Sequence, residues 1–127
     1  MGLRNLLMAL GGAALLANAT AAAETADEKA LIIQLDEVHK RGLRLTLVGD
    51  VDGLKQQIPS LEGLLQVEDV ALPCREAVRA KLAAARANIV FLQGADGDGG
   101  QQFLEVQKQD RLFHDYRRQC LGGRSEP

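Results

Sequence analysis

Two cysteines, Cys74 and Cys120, constrain this chain more than any other feature, because they sit at matching distances from a Gly/Asp-rich turn. Cys74 opens an apolar stripe through Val78, Leu82, Ala85, Ile89 and Leu92, advancing by four and three residues as a helical seam does. Cys120 closes a second stripe through Phe103, Val106, Phe113 and Tyr116. Between them, Gln93 to Gly100 carries four glycines and breaks both patterns. Arms of about 20 residues, each rising 1.5 Å per residue, run roughly 30 Å. Folding them back at the turn brings both sulfurs to the same outer end on facing sides.

A bridge requires Cα atoms within about 7 Å, which close helix packing supplies. Closing a loop of this size stabilises by about 4 kcal/mol in the chain-entropy account. A redox couple would want a C-x-x-C spacing, which is absent, so the expectation is a structural disulfide. Pro73 suits the first turn of the first arm. Alanines at 77, 80, 83, 84, 85 and 87 raise its helix propensity and allow a neighbour to approach closely.

Such a bridge needs an oxidising compartment, and residues 1–23 read as a secretory leader. Arg4 forms a positive start, Leu6 to Leu16 an uncharged core, and Ala19-Thr20-Ala21 or Ala21-Ala22-Ala23 a cleavage zone. Cleavage after Ala23 is the preferred reading. An uncleaved anchor is disfavoured by the Ala/Gly-rich, Asn18- and Thr20-broken character of the run. The Ala-rich cleavage zone points to a bacterial periplasmic or secreted protein with no stable membrane anchor once cleaved. Residues 24–127, about 104 in number, then form a single small domain.

Removing Arg4 changes the formal net charge from −2 to −3, which excludes the basic footprint of a nucleic-acid binder. Three Phe, one Tyr and no Trp leave aliphatic side chains and alanine to fill the core, a balance suited to packed helices. Residues 24–72 carry ten acidic and five basic side chains, so an acidic half is expected to pack beside a slightly basic one.

The N-terminal half is less sharply patterned. Leu31, Leu35, Val38, Gly42, Leu45 and Val48 have helical spacing, though Leu43, Leu45 and Leu47 also alternate as a strand would. One helix is the preferred reading, with Gly42 the one place where it could kink. Asp50 to Gly53 is a turn. Pro59 interrupts the next apolar face, Leu54, Ile58, Leu61, Leu64 and Leu65, and predicts two short helical pieces meeting at Ile58-Pro59.

Catalytic and metal equipment is sparse. His39 and His114 lack a second ligand at helical spacing and read as edge histidines. Asp96-Gly97-Asp98 and Asp50-Val51-Asp52 lack the carboxylate a calcium loop places twelfth, where Gln107 and Leu61 stand. No nucleophile elbow surrounds Ser60 or Ser125, and no phosphate-binding glycine loop follows a strand. Neither a catalytic centre, a metal nor a cofactor is expected. The remaining candidate is a partner-binding face on the last helix, Lys108, Arg111, Tyr116, Arg117 and Arg118, since Arg and Tyr favour interfaces.

The resulting expectation is an all-α protein, a small helical bundle built on a disulfide-linked antiparallel helical hairpin. Its expected role is exported and non-catalytic, acting through a protein partner. An inhibitor or immunity factor against a toxic hydrolase, an envelope chaperone and a small-ligand carrier are the rival roles, and an enzyme is the least supported.

Overall fold

The computed structural model describes residues 26–94 and 99–122. The expected leader 1–23 and the Asp96–Asp98 turn lie outside the described residues. Four helices follow in order: α1 (Ala26–Leu47), α2 (Val51–Leu64), α3 (Leu72–Gln93) and α4 (Gly99–Cys120). The bundle is all-α, as the apolar spacing requires, and its hairpin is α3 against α4. Cys74 and Cys120 are bonded, with Cα atoms 4.7 Å apart and 46 positions of sequence between them.

Local chemistry accounts for the helix ends. Asp27 and Glu28 occupy the first turn of α1 and Arg44 the last, matching the helix dipole. Gly49, with φ 69°, turns the chain, and Asp50 caps α2 by accepting the Gly53 N–H at 2.9 Å. A Cβ at Gly53 would stand 2.7 Å from Leu45 Cδ2 and 2.9 Å from the Asp50 carboxylate, so any side chain there must displace its neighbours. Pro73 lies in the first turn of α3. Gly94, with φ 62°, closes that helix by donating to the Phe91 carbonyl.

Two long-range side chains tie the elements at this end. Glu28 of α1 accepts the Ala71 N–H at 2.6 Å, just before α3 begins. Arg75 of α3 donates to the Leu65 carbonyl at 2.8 Å, serving a backbone group at the end of α2.

In the N-terminal half, α1 runs through Gly42 as the one helix expected, and residues 43–47 belong to it rather than to a strand. The missing side chain at 42 instead admits α2: a Cβ there would lie 3.2 Å from Gln57 Oε1, while Gln57 Nε2 donates to the Val38 carbonyl at 3.1 Å. The expectation for α2 needs correction: it is one helix with Pro59 inside it, not two pieces. An interior proline costs about 3 kcal/mol. Leu54 and Gln57 before it, and Leu61 and Leu64 after it, form one buried face whose packing offsets that loss.

The core lies at the disulfide end. Leu31, Ile32 and Leu35 of α1 meet Leu61 and Leu64 of α2, Cys74 to Leu82 of α3, and Phe113 and Cys120 of α4. Toward the hairpin tip the packing thins, and no residue from 100 to 112 of α4 is fully buried. Phe103, expected on the inward stripe, is 47% exposed, with its ring centroid 5.8 Å from that of Phe91. At the tip the two arms have mainly each other to pack on, and two helices cannot enclose a ring that size.

Candidate functional site

Lys81 is the most unusual side chain in the bundle: a lysine only 8% exposed. It sits on the alanine-rich face of α3, with Ala77 and Ala84 buried one turn to either side. Those small residues leave room for its stem between α1 and α4. Its Nζ lies 2.8 Å from His39 Nδ1 of α1 and 3.1 Å from Asp110 Oδ1 of α4. The Phe113 ring centroid is 4.4 Å away, within cation–π range. Three helices thus converge on one amine.

An ammonium has only donors, so His39 must accept at Nδ1 and carry its proton at Nε2, as neutral imidazole. Burial pushes the His39 pKa below its ordinary 6.5, and the adjacent Lys81 charge pushes the same way, against the pull of Asp110 and Asp36. Burial also lowers the Lys81 pKa from 10.5, opposed by the charge and hydrogen bond of Asp110. A buried ammonium in contact with a neutral imidazole can pass a proton to it while the Asp110 carboxylate stays beside the charge.

Beside the amine is a solvent-open cleft of about 130 Å³. Val38, Leu43, Leu54, Ala84, Ala85 and Val106 give it apolar walls, with Lys81, His39 and Asp110 at one end. Its other polar rim is internally tied. Asn88 donates to Thr46 Oγ1 at 2.8 Å, and Thr46 donates to the Gly42 carbonyl at 2.7 Å. On the other side of His39 a second depression is lined by Asp36, Lys40, Phe113, His114 and Arg117. The His39 and His114 rings meet edge to face at 5.6 Å. Among the described residues, no group of three or more His, Cys, Asp and Glu side chains is placed to hold a metal ion.

No protein-family model, curated protein or solved structure matches this chain.

The five residues expected as a partner face divide. Lys108, Arg111 and Arg118 are exposed and share the outer side of α4, where Arg118 donates to Asp115 at 2.8 Å. Tyr116 packs against the core. Arg117 points across to α1 and binds the Asp36 carboxylate through two nitrogens at 2.7 Å each. The structure joins Lys108 and Arg111 to Leu104, which lies one turn before Lys108 on the same side and is 61% exposed.

Apolar spacing alone singles out neither Lys81 nor Asp110, and it sets His39 only at the edge of its stripe. One signal for them was present. Lys81 stands three residues after Val78 and four before Ala85, and Asp110 stands four after Val106 and three before Phe113. Each charge sits on its own helix's apolar stripe, where a solitary one would be costly.

Proposed function

We propose that this chain is an exported, non-catalytic helical protein that acts by binding another protein through the tip of the α3–α4 hairpin. The observation that carries this reading is where large apolar side chains are exposed. Of ten among the described residues, seven lie toward the tip: Leu43, Leu47, Val48, Val90, Phe91, Phe103 and Leu104. The Thr46–Asn88 hydrogen bond places the end of α1 beside α3, one helical turn before Phe91. Gathered apolar exposure of this kind marks interaction surfaces.

Lys108 and Arg111 continue from Leu104 along α4 as a basic border, while Arg118 stands farther off at the disulfide end. An apolar centre with a charged rim matches the usual anatomy of an interface and suits an acidic partner. The disulfide and the leader-like first 23 residues support export to an oxidising compartment. No helix among the described residues is long and apolar enough to cross a membrane, which is compatible with that location.

The test is affinity capture from native periplasmic extract with wild-type chain and a Phe103→Glu/Leu104→Glu variant. The expected result is a stoichiometric partner held by the wild type and lost by the variant, with helicity and disulfide unchanged. A captured hydrolase would specify an immunity role, and broad binding of unfolded clients would specify a chaperone. Capture indifferent to the tip substitutions would refute the reading.

A further inference from the structure

The geometry points to Lys81 as the attachment point for a small aliphatic aldehyde, held as a protonated imine in the cleft between α1, α3 and α4. This site goes beyond the protein-binding reading and does not depend on it.

Three observations carry the inference. First, Lys81 is set apart from Lys29, Lys40, Lys55 and Lys108, all of which are exposed. Its amine is withdrawn from bulk water yet borders an open cleft. Second, that cleft has apolar walls and a volume of about 130 Å³. One water needs about 10–15 Å³ on this measure, so a short alkyl chain has room. Third, the amine touches both a proton acceptor and a carboxylate, at 2.8 Å and 3.1 Å. Imine formation needs that pair: one group to free the nitrogen lone pair, and one to stabilise the cation that results.

The step balances without an outside reagent. Lys81 passes one ammonium proton to His39 Nδ1, and its lone pair attacks the aldehyde carbon. A C–N bond forms, and the carbonyl π pair moves to oxygen. That oxygen takes the second proton from nitrogen and then the one held by His39, and departs as water. The nitrogen lone pair completes the C=N bond, leaving one N–H. Aldehyde and ammonium thus become protonated imine and one water, with no change of oxidation state. The positive charge stays at the nitrogen, where Asp110 already neutralises it. The apolar walls hold the alkyl tail and limit the return of water.

The test is competition within one folded, full-length molecule. The protein is exposed briefly to limiting hexanal with cyanoborohydride at neutral pH, and reduced adducts are mapped by peptide mass. Lys81 is expected to be trapped at least tenfold faster than Lys29, Lys40, Lys55 or Lys108. His39→Gln should remove that advantage, and Lys81→Arg should abolish the fast adduct while helicity is retained. Trapping at Lys81 no faster than at the exposed lysines would overturn the proposal in the wild type alone, whatever the variants do. Equal trapping in folded His39→Gln would overturn the role of the imidazole.

Discussion

Arg117 grips Asp36 across 81 positions of sequence, its Nε and Nη2 each 2.7 Å from a different carboxylate oxygen. This bidentate pair fastens α1 to the disulfide end of α4, beside the contact between His39 and Phe113, whose ring centroids lie 5.2 Å apart. The Arg117 hydrogen bond holds the Asp36 carboxyl below its usual 3.8, ahead of the opposing effect of burial. Each side chain remains about one-third exposed, so solvent screens the pair. Replacing either residue by alanine should cost about 1 kcal/mol. The double replacement should cost little more than one alone, as urea unfolding in a double-mutant cycle would reveal. Additive losses would mean the two side chains act separately.

Acid should loosen the bundle in two stages. His39 has a folded pKa below 6.5, so the unfolded chain takes up its proton first as pH falls. Stability from this residue is intact above about 6.5 and declines from there down to the lowered folded value, at no more than about 1.4 kcal/mol per pH unit. Asp36 adds a further loss below its unfolded value of 3.8, because its folded pKa is depressed. Denaturant midpoints at pH 7, 6 and 5 should fall in the wild type and stay flatter in His39→Gln. A flat wild-type profile across that range would contradict the neutral, Lys81-bonded imidazole.

Reducing the Cys74–Cys120 bond should destabilise the chain by about 4 kcal/mol or less, given the 46-residue separation. Unfolding curves with and without reductant measure this directly. Intact mass after alkylation of exported material should show no free thiol.

Two glycines of α2 should respond with opposite sign. Gly53→Ala forces a Cβ to within 2.7 Å of Leu45 Cδ2 and should cost about 1–3 kcal/mol through overpacking. Gly63→Ala meets nothing within 4 Å and should stabilise by about 0.5 kcal/mol through helix propensity. Thermal melts of the two single variants distinguish the effects. A neutral Gly53→Ala would mean that Leu45 moves aside.

Charge reversal at Lys108 and Arg111 should weaken partner capture by about tenfold, mainly through slower association at low salt. Arg117 is left out because its loss would break the clamp to Asp36 and confuse binding with folding. Association rates that ignore both the substitutions and ionic strength would exclude the basic border from the interface.

The hairpin was legible in the residues because its determinants are local or nearly so. Apolar spacing, alanine content, a proline at the start and glycines at the turn set two helices of equal length, and equal length placed Cys74 opposite Cys120. Spacing also aims a side chain relative to its own helix. It does not say what stands opposite. The course of α1 decided that His39 meets Lys81 and that Asp36 holds Arg117, which removed Arg117 from the face expected on α4. The packing of α2 decided that Pro59 sits inside a helix, because four buried residues around it outweigh one lost backbone bond. The thin cover at the tip decided that Phe103, though it meets Phe91 across the hairpin as its stripe implied, stays half exposed. Sequence by itself determined the two hairpin helices and the sulfur pairing, through short-range periodicity and the constraint of equal arms. Only the tertiary structure decided which charges are buried and which apolar groups are not, because burial depends on neighbours brought from far along the chain.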